Sequence, residues 1–378
     1  MNDSVLALLR DLVAIDSVNP SLVPGGAGEA GVADRVAAEL RRAGLDVIVR
    51  DVAPNRPNVV GVLEGRADGQ SLMFCGHLDT VGIEGMTAPF DPVVADGRLY
   101  GRGSQDMKSG VAAMVDAATE LATHGGLDRG RLVIAAVVDE EHASLGADMV
   151  SAEYRADAAV VTEPTGLRLA TCHKGFEWVE LETVGTAAHG SRPADGRDAI
   201  LRMGRVLHRL EVVNTALAES TSHPLLGPAS LHASTIDGGR ELSVYPDRCR
   251  LTFERRTLLG EPPDAGLTEV QAILDALHHE DSEFDASARP LLTRPPHAIE
   301  PAAPICQALS RVLTSRGHPD APVGMSFWTD AAILTHAGTP TVLFGPTGAG
   351  LHSRDEYVEI ESVLTCRDVL VDLARDFC

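Results

Sequence analysis

The chain lacks the features that define several classes of protein. Its six cysteines are widely spaced and form no C-x-x-C pair, so they predict reduced, buried thiols rather than a disulfide framework. No apolar run reaches the roughly 18 residues that a membrane span needs. The amino-terminal segment carries acidic Asp3 and Asp11, whereas a secretory signal would be basic there. We therefore expect a soluble, cytoplasmic protein.

Basic residues are also scarce. Lys and Arg total 32 against 54 Asp and Glu, which gives the 378-residue chain a formal net charge of −22. Nucleic-acid phosphates and anionic membrane surfaces both attract clustered cations, and the sequence has no run of five basic residues. We expect neither a nucleic-acid nor a membrane partner. The acidic balance alone is compatible with a role in solubility or with cation binding.

The pattern of the first half predicts a sheet covered on both faces. Nearly continuous apolar segments at Ser71–Cys75, Arg131–Val138 and Ala158–Val161 predict buried strands, and Ser109–Ala122 predicts a buried helix. Buried strands that alternate with helices are typical of α/β proteins. Alternation of this kind returns in the last part of the chain, around Val342–Phe344.

A different pattern begins after about residue 174. Phe176–Val184 alternates apolar and polar residues, which predicts a strand with one solvated face. The segments that follow suggest a β-α-β-β-α order over an antiparallel sheet, and a proline-rich stretch at 288–304 suggests a linker. We predict a discontinuous α/β domain of residues 1–174 and 290–378, interrupted by an α+β, ferredoxin-like domain of residues 175–289.

Familiar catalytic templates are missing, since the sequence has neither a G-x-S-x-G nor an H-E-x-x-H motif. What it has is a series of His and carboxylate residues, each placed just after an apolar strand or in a glycine-flanked loop. The carboxyl ends of strands are where α/β sheets form their sites. The residues of this series are His77, Asp79, Asp106, Glu140, Glu141, Glu163 and His352.

Taken together, these residues predict a metal site, because imidazole and carboxylate groups suit zinc and related divalent ions. His77 and Asp79 could act as a ligand and the group that orients it. Glu140 and Glu141 are adjacent and cannot both reach the same ion from an extended chain, so one could bind metal while the other acts as a general base. Taken singly, each has a simpler interpretation: Asp106, for example, could cap the helix that follows it.

Several motifs resemble those of the co-catalytic zinc amidohydrolases, the family of acetylornithine deacetylase, succinyl-diaminopimelate desuccinylase, aminoacylase and carboxypeptidase G. The resemblance covers nearly the whole chain. The motifs that carry it are GHLDTV at 76–81, GRGSQDMKSG at 101–110, DEEH at 139–142, TEP at 162–164, AHGSRP at 188–193 and GAGLHSRDEYVEI at 348–360.

The resemblance implies a two-zinc centre, in which cobalt or manganese could replace zinc. His77, Asp106 and Glu163 would hold one ion, and Asp106 would bridge to a second ion held by Glu141 and His352. Asp79 would orient His77. Glu140 would be the general base that takes a proton from water and returns it to the leaving amine.

The resemblance also implies that the inserted domain forms a lid and a homodimer interface. His189 would reach the neighbouring subunit's site and stabilise an oxyanion, although a histidine in a turn is the simpler interpretation. Arg256 would bind the substrate carboxylate, with neighbouring Arg255 as the rival assignment. Trp328 and Gly348 would contact the bound substrate.

The predicted function is hydrolysis of the amide bond of a small-molecule N-acyl amino acid. A dipeptidase or carboxypeptidase is the alternative within the same family, because these enzymes share the whole metal set. An inactive metal-binding relative is the alternative from a different class. Hydrolysis of acetyl, succinyl and dipeptide substrates distinguishes the first two, and metal content together with activity distinguishes the third.

Overall fold

The computed structural model describes residues 2–83, 85–220 and 222–378. Its α-helices are α1 Asn2–Val13, α2 Ala30–Arg42, α3 Ser109–Thr123, α4 Leu145–Glu153, α5 Ala199–Glu219, α6 Ala265–Glu280, α7 Pro304–Ser315, α8 Ala331–His336 and α9 Ile360–Phe377. A π-helical turn, Ser104–Lys108, precedes α3 and contains a cis peptide bond between Asp106 and Met107.

The strands of the first half are β1 Asp46–Ala53, β2 Arg56–Glu64, β3 Ser71–His77, β4 Val93–Ala95, β5 Arg98–Tyr100, β6 Arg131–Val137, β7 Ala158–Val161 and β8 Ala170–His173. Those of the second half are β9 Gly175–Val184, β10 Ser230–Gly238, β11 Arg248–Thr257, β12 Asp285–Arg294, β13 His297–Ala298, β14 Val323–Met325, β15 Thr341–Leu343, β16 Gly348–Ala349 and β17 Tyr357–Glu359.

Backbone contacts divide the chain into two compact units. The first comprises the chain up to Cys172 together with Ala298–Gly324 and Thr329–Cys378. The second comprises His173–His297 and Met325–Trp328. Among the helices of the described residues, none combines the length and apolar character needed to cross a membrane.

The first unit is built on a nine-stranded sheet with the order β1-β2-β6-β3-β7-β15-β8-β13, in which β14 pairs with β8. Its centre is parallel: β3 pairs in parallel with both β6 and β7. Every residue of β3 is buried, as is nearly all of α3, because central strands of this kind are covered by helices on both faces. The predicted α/β class is confirmed.

The second unit is an antiparallel sheet with the order β10-β11-β9-β12. Its elements follow one another as β9-α5-β10-β11-α6-β12, the βαββαβ arrangement of a ferredoxin-like fold. The alternation along β9 becomes alternating burial, and its inward residues, such as Val179 and Leu181, pack with α5 and α6 in a separate apolar core.

The second unit extends beyond the boundary expected at residue 289. The predicted linker contains the end of β12, which pairs with β9 as far as Arg294. Pro290 lies in this edge strand next to a register shift between Pro290 and Leu292, a position where the missing N–H of proline is tolerated. The prolines therefore suggested a linker, whereas this segment forms the edge strand of the sheet.

Candidate metal centre

Three neighbouring parallel strands bring three of the five predicted ligands, together with the predicted base Glu140, to one edge of the large sheet. His77 is the last residue of β3. Glu140 and Glu141 follow the end of β6, and Glu163 follows the end of β7. Because β3 lies between β6 and β7, the carboxyl ends of all three strands meet at the same edge.

Asp106 lies between two histidines and presents one carboxylate oxygen to each. Its Oδ1 lies 3.0 Å from His77 Nε2 and its Oδ2 lies 3.2 Å from His352 Nε2. Glu163 Oε1 lies 3.7 Å from His77 Nε2, and Glu141 Oε2 lies 3.2 Å from His352 Nε2. Two groups of ligand atoms result, His77–Asp106–Glu163 and Asp106–Glu141–His352, each with all its ligand atoms within 4.8 Å of one another.

Asp106 does not cap the following helix, which was the simpler interpretation of its position. The N-cap of α3 is Lys108, and no side-chain hydrogen bond caps that end of the helix. The Asp106 carboxylate is therefore directed at the two histidines.

The site concentrates negative charge away from water. Burial, together with neighbouring carboxylates, raises the pKa of Glu140 and of Glu163 well above the usual range. Burial alone would raise the pKa of Asp106 too, but hydrogen bonds from His352 and His77 outweigh it and lower that pKa. Hydrogen bonds to Asp106 and Glu141 raise the pKa of His352 to about 10.

The donor set fits two divalent cations. Among the described residues, the carboxylates of Asp106, Glu140, Glu141 and Glu163 face two imidazoles at this edge, those of His77 and His352. Buried like charges repel strongly unless cations compensate them. Glu141 Oε1 is also buried without a hydrogen-bond partner. Nitrogen and carboxylate oxygen are the ligands of co-catalytic zinc and related ions.

Glu140 lies beside the two groups of ligand atoms but belongs to neither. Its Oε2 is 3.9 Å from His77 Nε2, and its side chain is 10% exposed. Glu141, by contrast, belongs to the second group. The two adjacent glutamates are therefore placed differently with respect to the ligand groups.

A buried polar network behind the ligands was missed from the sequence. Asn19 Nδ2 donates to Asp79 Oδ2 at 2.7 Å and to Asp139 Oδ1 at 3.1 Å. Arg56 donates to the same Asp139 oxygen at 2.7 Å and forms a buried ion pair with Glu29. No motif or spacing in the sequence indicated these pairings.

His189 lies in the second unit, at the surface, in an isolated bridge with Val244. The backbone N–H of Ser191 donates to its Nδ1 at 3.2 Å. Because Nδ1 then acts as an acceptor, the ring proton of the neutral imidazole lies on Nε2, which is left as a donor.

Arg255 and Arg256 point to opposite faces of β11 and have different partners. Arg255 is 1% exposed and lies 2.7 Å from Glu261 and 3.0 Å from Glu269, so its guanidinium is committed to an internal ion-pair cluster. Arg256 is 28% exposed. Its Nε donates to Glu254 at 2.6 Å, and its guanidinium lies 5.6 Å from the centre of the Phe176 ring.

Trp328 and Gly348 have structural contacts of their own. Trp328 is nearly buried; its Nε1 donates to the carbonyl of Pro295 at 3.0 Å, and its ring meets Phe176 edge-on. Gly348 pairs with Val358, and a Cβ at this position would lie 2.3 Å from the Tyr357 carbonyl oxygen. Strand pairing alone therefore accounts for a glycine at 348.

Comparison with known proteins identifies the family to which the chain is similar. Residues 73–376 match Peptidase family M20/M25/M40. The chain is 31% identical to acetylornithine deacetylase of Myxococcus xanthus, covering 100% of this chain and 99% of the relative. It is 27% identical to N-formyl-4-amino-5-aminomethyl-2-methylpyrimidine deformylase of Bacillus subtilis, covering 92% of this chain and 89% of the relative.

Two solved structures share the fold. A tripeptidase from Staphylococcus aureus superposes with a TM-score of 0.83 at 19% identity, covering 99% of this chain and 98% of that one. A dinuclear metal-binding peptidase of the M20 family from Bacillus subtilis gives a TM-score of 0.73 at 15% identity, covering 99% and 97%. The family match over most of the chain confirms the predicted resemblance and the predicted class of amide-bond hydrolases. This chain belongs to Peptidase family M20/M25/M40.

Proposed function

We propose that this protein is a two-metal hydrolase that removes the acyl group from an N-acyl amino acid. The observation that carries the proposal is the placement of Asp106, whose two carboxylate oxygens lie 3.0 Å and 3.2 Å from the Nε2 atoms of His77 and His352. A carboxylate shared in this way suits a bridging ligand. The relative from Myxococcus xanthus, an acetylornithine deacetylase, supports the choice of substrate class.

His77, Asp106 and Glu163 would hold one divalent ion, and Asp106, Glu141 and His352 would hold the other. We propose Zn²⁺ as the native ion, with Co²⁺ and Mn²⁺ as substitutes that the same donors accept. When bound, such a pair polarises an acyl carbonyl and lowers the pKa of water.

The protein's own residues then divide the proton transfers and the binding of the substrate. Glu140, which belongs to neither ligand group, takes a proton from the attacking water. It returns that proton to the amine nitrogen as the carbon–nitrogen bond breaks, so one carboxylate serves first as base and then as acid. The Asp79 carboxylate accepts the backbone N–H groups of Glu140 and Glu141 and so holds this segment in place.

Four further residues outside the ligand groups complete the proposal. His189 stabilises the oxyanion through its Nε2–H, in keeping with the acceptor role of Nδ1 toward Ser191. Arg256 binds the substrate carboxylate, since Arg255 is committed to Glu261 and Glu269. Trp328 and Gly348 contact the acyl amino acid.

We propose a homodimer, in which His189 serves the site of the neighbouring subunit. We also propose a cytoplasmic location. All six cysteines are free, five of them buried, which suits a reducing compartment. Sedimentation velocity gives the oligomeric state. If activity requires the dimer, dilution below its dissociation constant reduces the specific activity.

The proposal is tested by assaying purified protein against a panel of N-acetyl, N-succinyl and N-formyl amino acids and dipeptides, with metal content measured in parallel. We expect release of free amino acid from an N-acyl substrate, loss of activity after chelation and recovery with Zn²⁺ or Co²⁺. Cleavage of dipeptides alone would make the protein a peptidase of the same family. Bound metal without hydrolysis of any substrate would overturn the enzymatic assignment.

A further inference from the structure

One buried carboxylate outside the proposed ligand set binds the backbone of the loop that carries Asp106. Glu356 is 1% exposed. Its Oε2 accepts the N–H of Gly103 at 2.9 Å, and its Oε1 accepts those of Gln105 at 2.9 Å and Asp106 at 3.1 Å. Three backbone donors on one carboxylate fix the path of the loop, because each buried N–H would lose its partner if the loop moved.

Arg102 completes this arrangement and extends it to two further loops. It pairs with Glu356 at 2.6 Å, and its side chain is 3% exposed. Its Nε donates to the carbonyl of Gly82 at 3.0 Å, and its Nη2 donates to the carbonyl of Ser353 at 3.2 Å. The planar guanidinium thus joins the segment after β3, the Asp106 loop and the His352 loop through fixed hydrogen bonds.

His352 depends on such anchoring more than the other proposed ligands do. Its side chain is 53% exposed, whereas that of His77 is 1% exposed. Its backbone has a φ of 58°, a left-handed conformation that non-glycine residues adopt only when their surroundings enforce it. Ser353 and Glu356, one and four residues further along the chain, provide the hydrogen bonds that hold this loop.

We propose that Glu356 and Arg102 are positioning residues that set the affinity of the centre for metal ions, above all at the Asp106–Glu141–His352 group. This inference rests on the proposed two-metal function. Both loops that Glu356 and Arg102 join supply ligands to that group, namely Asp106 and His352. The His77–Asp106–Glu163 group has only Asp106 in those loops, so its affinity depends less on the pair.

The competing role is structural: removing one partner of a buried ion pair leaves an uncompensated buried charge, which lowers the stability of the fold. The chain offers a matched control in the same unit. Arg367 Nη1 donates to Asp116 Oδ2 at 2.9 Å, and both side chains are 6% exposed. This pair joins α3 to α9, and neither residue belongs to the two groups of proposed ligands, so Asp116→Asn measures the cost of losing a buried pair as such.

The experiment compares the full-length wild type, Glu356→Gln and Asp116→Asn after removal of metal. Zn²⁺ is titrated by calorimetry against a competing chelator, Co²⁺ by its absorption spectrum, and thermal unfolding is recorded without metal. We expect Glu356→Gln to weaken Zn²⁺ binding at one of the two sites about 10- to 100-fold, the usual effect of removing a group that orients a ligand, and to change the other site less. Asp116→Asn should lower the unfolding temperature and leave both affinities unchanged.

Arg102→Lys provides a second route, because it keeps a positive charge beside Glu356 but cannot make the same set of directed bonds. It should lower the Zn²⁺ affinity of the same site. If Glu356→Gln does not fold, Arg102→Lys tests the positioning role in its place. Unchanged Zn²⁺ affinity in a folded variant, or equal changes in Asp116→Asn, overturns the positioning role. A wild type that binds no metal and hydrolyses nothing would instead overturn the proposed function, so the two failures are distinguishable.

Discussion

The carboxylate of Asp79 accepts the backbone N–H of Glu141 at 3.1 Å. Its other oxygen accepts the N–H of Glu140 at 3.2 Å. His77 is oriented mainly by the backbone of Asp79, since its Nδ1 lies 3.0 Å from the Asp79 carbonyl oxygen and 3.6 Å from the carboxylate. Asp79 therefore holds two parts of the centre: its main chain holds His77, and its side chain holds the pair of glutamates.

We predict that Asp79→Asn lowers activity about 10- to 100-fold, as is usual for groups that hold metal ligands in place. The asparagine NH₂ group would face the N–H of Glu140 or Glu141, or the donating amide of Asn19, so donors would oppose donors in a buried site. Steady-state kinetics and metal content measure the effect. Wild-type kinetics in the folded variant would contradict this role.

Glu140→Gln should reduce kcat by at least about 100-fold, the lower end of the contribution of a general base. The amide cannot accept the proton of the attacking water. Because Glu140 belongs to neither group of ligand atoms, metal stoichiometry should stay at the wild-type value. The matched variant Glu141→Gln should instead lower the metal content. Near-normal turnover of Glu140→Gln with metal bound would exclude the proposed mechanism.

The proposed ligands could be predicted from the sequence because each lies just after a short apolar strand or in a glycine-flanked loop, and sheet geometry brings the strand ends together. Apart from Asp79, the residues that support them could not. Asn19 lies 60 residues from Asp79, and Glu356 lies 253 residues from Gly103, so no local pattern indicates either pairing. The partners of such buried polar side chains are distant in the sequence, and only folding brings them together.

The same distinction applies to the fold. The alternation of FEWVELETV predicted β9 because burial on one face is a local property of a strand. The main segment of the second unit runs to His297 because β12 pairs with β9, and the prolines of that segment gave no indication of this pairing. Local periodicity predicts an element, whereas its pairing is decided by the rest of the chain.

Arg256→Ala should raise KM for N-acyl amino acids, with a loss of about 10- to 100-fold in kcat/KM, the range for one hydrogen bond to a charged group. Hydrolysis of the corresponding N-acyl amino amides, which lack the carboxylate, should change little. Arg256→Lys should restore only part of the loss, since lysine lacks the guanidinium fork.

Arg255→Ala is the control for that prediction. It removes a buried cation that lies 2.7 Å from Glu261 and 3.0 Å from Glu269, so we expect a lower unfolding temperature and an unchanged KM in the folded fraction. If Arg255→Ala raises KM selectively and Arg256→Ala does not, the two assignments must be exchanged.

Removal of metal should destabilise the first unit. Ions that bind the native state alone stabilise it, by about 2.7 kcal/mol at a free concentration 100 times the dissociation constant. Chelation should therefore lower the unfolding temperature, and added Zn²⁺ should restore it. Glu163→Gln, which removes a proposed ligand, should respond less to added Zn²⁺ than the wild type. Equal responses would count against Glu163 as a ligand.

Asp157 provides a prediction for pH that does not involve the metal centre. Its carboxylate accepts the backbone N–H of Ser71 at 2.7 Å and the Ser71 hydroxyl at 2.8 Å. These bonds, the backbone bond first, lower the pKa of Asp157 below its ordinary value. A depressed folded-state pKa contributes stability that is present above the unfolded pKa of about 3.9 and is lost as pH falls through the folded value.

Asp157→Asn should therefore lower the free energy of unfolding by about 0.5–1 kcal/mol at pH 7, a modest amount because the side chain is largely exposed. The difference from the wild type should shrink as the pH falls below about 4, where the aspartate is protonated too. Urea unfolding of metal-free protein at both pH values measures it. Asp128→Asn is the control: Asp128 is 90% exposed and pairs with Arg66, which is also exposed, so its loss should change stability little at either pH. A difference for Asp157→Asn that grows as the pH falls would show that the carboxylate does not stabilise the native state through Ser71.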